Sequence, residues 1–237
     1  MKINSIFSKI FMALFCLACC LNIAAKSSGT CGAGTWELTD DGILTISGKG
    51  NMPNYSYQEN MLAPWDSQKE TIHNVIIENG ITRIGAYAFW YCNNLENIVL
   101  PNSITAIAYN AFTGCANLTN LKIPSGCTTL GDNAFNGCSA LKKLELPTTV
   151  TYIGHSCFRG CSSLLSISIP NGITEIKDWT FEGCSNLREI KLPNTITTIG
   201  EDAFSWCASL EEVKLPEATN TIGKSAFSYC NKLRIIN

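Results

Sequence analysis

From residue 89 onward, apolar and polar positions recur at a fixed spacing. Phenylalanine stands at Phe89, Phe112, Phe135, Phe158, Phe181, Phe204 and Phe227. Cysteine follows three residues later (Cys92, Cys115, Cys138, Cys161, Cys184, Cys207, Cys230), and leucine three residues after that, from Leu95 to Leu233. Each step is 23 residues. Six and eight residues past each cysteine come further aliphatics, such as Ile98 and Leu100, Leu121 and Ile123, or Ile190 and Leu192. A spacing of two predicts a short strand with these side chains inward. The proline that follows (Pro101, Pro124, Pro147, Pro170, Pro193, Pro216) ends the strand, because it has no N–H to donate to a ladder. A second apolar pair comes next, as in Ile104 and Ile107 or Val150 and Ile153, and then glycine in most copies (Gly131, Gly154, Gly200, Gly223), where a positive φ is expected. A one-turn helix is expected to lead on to the next phenylalanine.

One such unit cannot cover its own apolar face, so it must stack on its neighbours into a solenoid with one continuous core. Strands about 4.8 Å apart put the seven coils in a rod roughly 30 to 35 Å long. Upstream, Ile72, Val75, Ile77, Ile81, Ile84 and Gly85 keep the register, while Lys69 and Asp66 fall in the cysteine and phenylalanine columns. This predicts a degenerate first coil that turns polar where solvent begins. Before it, TWELTDDGILTISG predicts a β-hairpin, with strands Thr35 to Thr39 and Ile43 to Ser47 around a turn at Asp40, Asp41 and Gly42. The organisation is then a leader over 1–25, a cap region over 26–71 and a solenoid over 72–237.

The unit A-F-x-G-C-x-x-L-x-x-I-x-I-P-x-x-I-T-x-I-G is similar to the BspA-like leucine-rich repeats, and SGTCGAGTWEL, LTISGKG and APWD resemble the leader region of those proteins. The resemblance runs from Ser28 to Asn237. It implies an α/β repeat solenoid: a right-handed leucine-rich-repeat coil with short strands and one-turn helices behind an N-terminal β-hairpin cap. It also implies a secreted or surface-exposed bacterial protein that adheres and binds proteins rather than catalysing.

Composition narrows the partners. The formal charge is −2, and from Lys26 onward 15 basic residues face 19 acidic ones. That balance argues against nucleic acid, which needs a positive face to displace counterions. The opening residues place Lys2 and Lys9 before an apolar run from Ile10 to Leu21 and small residues Ala24 and Ala25, the pattern of a secretory signal cut near Ala25. Leu17-Ala18-Cys19-Cys20 is close to a lipobox and leaves lipid anchoring at Cys20 as an alternative. No stretch reaches the roughly 20 apolar residues of a membrane span.

The seven periodic cysteines share one column of odd membership, which cannot pair completely, so buried reduced thiols bonded to loop carbonyls are expected. Disulfides remain an alternative in an oxidising compartment, with Cys31, Cys127 and Cys157 outside the column. His155, Cys157 and Cys161 could hold zinc, although structural zinc usually takes two close cysteine pairs. No metal or other cofactor is expected.

Catalytic candidates are few, with only His73 and His155 as neutral-pH bases and neither in a nucleophile motif. Stacking would align Asp132, His155, Asp178 and Glu201, with Asp202 adjacent. This column is read chiefly as capping free N–H groups at the following helical turn, with a carbohydrate-active enzyme as the alternative. The candidate ligand surface is the outward sheet face, carrying Lys122, Lys143, Glu145, Glu189, Lys191, Glu212 and Lys214. Charges there are expected to pair between rungs, as Lys122 with Glu145 or Lys191 with Glu212. A second patch comprises Trp90, Tyr91, Trp206 and Tyr229 at the tight loop. A threonine column (Thr82, Thr105, Thr128, Thr151, Thr174, Thr197) is read as β-branched fit to a second short sheet. The leading function is a secreted or cell-surface, non-enzymatic module for an extracellular protein or glycan. A structural surface-assembly protein is the third alternative, since the repeat runs to Asn237 without a cap and its last coil invites end-to-end pairing.

Overall fold

The computed structural model describes residues 25–236. The predicted signal segment and Cys20 lie outside them, apart from Ala25. Three antiparallel strands open the fold: β1 (Ala25–Cys31), β2 (Gly34–Thr39) and β3 (Ile43–Gly48). The predicted hairpin is β2 and β3; the sequence reading missed β1. Two residues on, β4 (Gly50–Asn51) begins a second sheet.

The cap joins the solenoid by continuing its ladders. Strand β3 pairs in parallel with β5 (Asn74–Ile77), placing Leu44 beside Val75 and Ile46 beside Ile77, while β4 pairs with β6 (Ile81–Ile84). Ile43 to Asn51 thereby acts as a first coil. Next come β7 (Asn97–Val99), which ends the first sheet, and β8 (Ala106–Ile107), after which the second sheet runs on to Tyr152–Ile153; from Ser166 and Glu175 onward the later coils form two further parallel sheets along the same two faces. Register is exactly one repeat, as in Ser166 with Glu189 and Glu189 with Glu212. The inward strand positions are buried (Ile98, Leu121, Leu144, Ile167, Ile190, Val213), as the alternation required.

The core is a column of rings. From Phe89 to Phe227 each phenyl stacks on the next, with centroids 5.1 to 5.7 Å apart and planes within 16°. Beside it each thiol from Cys115 onward donates to the carbonyl of the phenylalanine one coil back: Cys115 to Phe89 (3.1 Å), Cys138 to Phe112 (3.3 Å), Cys184 to Phe158 (3.1 Å) and Cys207 to Phe181 (3.2 Å). The thiol is small enough to fill the column and still satisfies a buried acceptor. All ten cysteines of the described residues are free, Cys31, Cys127 and Cys157 included. Those three occupy buried core positions instead of pairing.

Three sequence expectations change. The ring column does not end in a polar residue, because Trp65, one position before Asp66, lies 5.8 Å from Phe89 and donates its indole N–H to Ala88 O (2.8 Å). Asp66 instead opens a short 3-10 helix, Asp66–Thr71, and pairs with Lys69 at 3.2 Å. Next, the segment before each cysteine is a run of turns rather than a helix. Ala111, Thr113 and Cys115 donate N–H groups three residues back, but Asn110, Phe112 and Gly114 donate to Asp132, Ala134 and Asn136 of the following coil. Alternate N–H groups are committed to the neighbour, so no helical ladder can close. Last, Gly131, Gly154, Gly200 and Gly223 are not among the glycines of positive φ; the left-handed glycines are those before cysteine, such as Gly137 (φ 74°) and Gly160 (φ 69°). Gly131 is needed for close approach: a Cβ there would lie 2.7 Å from Tyr109 N on the preceding coil.

Burial holds the ladder thiols protonated, pushing Cys161 up to about 12 from an ordinary 9.0. An unfolded thiol ionises near 9.0, so between these values the unfolded chain has released protons that the folded one keeps. Stability should be full below pH 9.0 and fall as pH rises toward 12. Urea unfolding across that range checks this, and a flat profile would contradict a buried protonated ladder.

Candidate functional site

Alternate side chains of this segment point into solvent in each coil, and this places Lys122, Lys143, Glu145, Glu189, Lys191, Glu212 and Lys214 on one exposed face. The expected pairing between rungs is replaced by pairing within a coil: Lys143 to Glu145 at 2.7 Å and Lys191 to Glu189 at 3.4 Å. Residues two apart on one strand share a face, and both pairs are well exposed. Lys143 holds the Glu145 carboxyl below its ordinary value through a hydrogen bond and its charge. Between rungs, like meets like, since Glu189 lies in register with Glu212.

At that place the face is grooved. Pairing runs over three residues between Ser166–Ser168 and Glu189–Lys191, but reduces to the single pair Glu189 and Glu212 at the next rung. A groove of about 540 Å³ opens there, lined by Arg188, Glu189, Lys191, Glu211, Glu212 and Lys214. Arg188 and Glu211 were missed from sequence because they sit one residue before the alternating run. The groove carries a carboxylate row (Glu189, Glu212) beside an ammonium row (Lys191, Lys214).

The acidic column is structural, though not in the way a helix cap would be. Asp132 Oδ1 accepts from the His155 backbone N–H (3.0 Å) and Asp178 Oδ1 from that of Glu201 (2.7 Å), each one coil further along. Asn54 does the same for Ala86 in the cap (3.0 Å). His155 Nδ1 lies 3.5 Å from Asp178 Oδ2, away from Cys157 and Cys161, which are buried in the core. No cluster of three or more metal-ligating side chains exists among the described residues. The threonine column likewise binds coils together, with Thr105 and Thr197 hydroxyls donating to Thr82 O and Thr174 O at 3.0 and 3.1 Å.

The aromatic patch divides into two. Trp90 is half-buried in the cap, 3.9 Å from Tyr57 and 4.5 Å from Tyr91 between ring centroids, with Lys69 5.5 Å above its ring. At the other end Trp206 and Tyr229 stack at 4.1 Å and 16°, with 54% and 58% of their surface exposed. Tyr91, Trp206 and Tyr229 have φ of 52°, 63° and 60° in the column where the middle coils carry glycine. Trp179, missed from sequence, is also exposed at φ 57°. A bulky residue in the left-handed region costs on the order of 1–3 kcal/mol.

Residues 67–184 and 151–237 match the BspA type leucine rich repeat region in six copies. The geometry and this match together define a leucine-rich-repeat solenoid, and the chain belongs to the BspA-type leucine-rich-repeat family. Its fold is similar to that of the Treponema pallidum leucine rich repeat protein, at TM-score 0.63 and 24% identity over 78% of this chain and 91% of that one. It is also similar to leucine-rich repeat proteins from Eubacterium ventriosum (TM-score 0.54, 24% identity, 89% and 72% covered) and Bacteroides ovatus (TM-score 0.60, 25% identity, 88% and 64% covered). No curated protein sequence matches the chain.

If Asp178 acts as an acceptor for the next coil, Asp178→Asn, which keeps an oxygen there, should be nearly neutral. Asp178→Ala should cost about 1 kcal/mol. Chemical unfolding of the two variants checks this, and equal losses would contradict the assignment.

Proposed function

We propose that this protein is a secreted or cell-surface module that binds an extracellular protein, without catalysis, through the outward sheet face centred on the groove at Glu189, Lys191, Glu212 and Lys214. The observation that carries this is the pair of like-charge rows. Like charges on adjacent strands destabilise a sheet, so a face that repeats them bears a cost for its own fold. A partner presenting the opposite rows relieves that cost and gains specificity, because a misregistered partner meets like charge. A rigid repeated sheet fixes the spacing of the rows, so binding has side chains to order but no backbone. Membership of the BspA-type family supports adhesion and surface display. The use of Asp132 and Asp178 on backbone N–H groups speaks against the carbohydrate-active enzyme reading.

The test is a surface-plasmon-resonance panel of extracellular matrix and host surface proteins over the immobilised chain, with Glu189→Lys/Glu212→Lys beside it. The expected result is a saturable, salt-sensitive partner whose affinity falls by about tenfold or more in the double variant. A partner that binds both chains equally would overturn the assignment of the face.

A further inference from the structure

We propose that the stacked pair Trp206 and Tyr229 is a carbohydrate-binding platform, on which the apolar face of a pyranose ring packs against the indole over Gly183. It lies on the turn edge, separate from the sheet face, and stands whether or not that face binds a protein.

The backbone at this column needs a left-handed residue, and glycine meets the need in the middle coils: Gly114, Gly137, Gly160 and Gly183 have φ of 76°, 74°, 69° and 73°. Trp206 and Tyr229 adopt the same conformation with large side chains. Both stand outside the buried core, with more than half of each residue in solvent. Inward of them Phe204 and Phe227 stack at 5.3 Å and Cys207 is fully buried. A bulky residue held in a strained conformation and left mostly exposed points to a role outside the fold.

The geometry selects the ligand. The two rings repeat the registration of the phenyl column at the surface, which makes a stacked, nearly parallel pair. Tyr229 covers one side of the indole. On the other side the column holds Gly183, and the nearest atoms to a Cβ built there are those of Gly160, 3.7 Å away, so no side chain of that column covers the second face. An indole face with no side chain of its column over it suits a ring that stacks and does not suit a branched aliphatic side chain that needs an enclosing pocket. Within three residues of this column along the chain stand Ser185, Ser209, Ser228 and Asn231, hydrogen-bonding side chains that are not buried and that would serve hydroxyl groups at a ring's rim. Glu182, beside Gly183, is already held by Arg159 at 2.8 Å. A ligand with an apolar face and a hydroxylated edge matches both features, and a sugar ring has that chemistry.

The experiment is isothermal titration of the full chain with four soluble probes: chitotetraose, cellotetraose, mannotetraose and maltotetraose. At least one should bind with little dependence on salt, because a neutral sugar releases no counterions. Trp206→Ala should weaken it by about tenfold or more, and Trp206→Tyr should retain most of the affinity. Gly183→Asn fills the space beside the indole with a residue that tolerates positive φ, and it should weaken binding while leaving the circular dichroism spectrum unchanged. The sheet-face variant Glu189→Lys/Glu212→Lys should bind the sugar as the parent does. Failure of all four probes to bind, or parental affinity in Trp206→Ala, would overturn the proposal.

Discussion

The whole molecule depends on one constraint: a 23-residue coil cannot satisfy itself. Its apolar residues face a neighbour on each side, and half of the N–H groups in its tight turns have no acceptor within the coil. The next coil answers both needs at once. Phe112 stacks on Phe89 and on Phe135, its N–H reaches Ala134 O, and its carbonyl receives the Cys138 thiol. Ring stacking, thiol donation and backbone pairing share one spacing of about 5 Å, close to the separation of paired strands. Residues that seem unrelated in sequence therefore answer to a single repeat distance.

That constraint explains why the periodic cysteine is neither a disulfide nor a reactive thiol. A disulfide would draw two coils together at one point and take from each phenylalanine carbonyl the second of its two donors, the first being the cysteine N–H of its own coil. A thiolate would place charge in a column with no counterion. The protonated thiol alone meets both the volume and the acceptor, which is also why burial raises its ionisation. The acidic column follows the same logic at the surface, where Asp132 and Asp178 serve the backbone of the next coil.

With the interior committed to stacking, the chain's freedom to recognise anything lies at positions pointing outward. Two sets of them bear a cost that stacking does not require: like charges side by side on the sheet face, and large aromatics where the turn prefers glycine. They lie on different edges of the rod and suit different chemistry. The sheet face carries ordered charge, and the turn edge carries an exposed aromatic ring. A rigid solenoid can hold both at once because its repeats fix every outward position.

Much was legible in the sequence itself. The 23-residue period, the inward residues of each strand, the hairpin from Thr35 to Ser47 and the outward set from Lys122 to Lys214 follow from local spacing, since side-chain direction alternates along a strand wherever that strand packs. What the sequence could not express was the relation between one coil and the next. Only the stacked structure decided that Trp65 replaces Asp66 in the ring column, that alternate N–H groups leave their own turn, and that Gly131 serves close approach rather than positive φ. The same holds for Lys143 turning to Glu145 on its own coil, and for the indole of Trp206 having only glycine beside it in its column on one side. These are outcomes of distances between residues a full repeat apart, and a linear pattern contains no such distances.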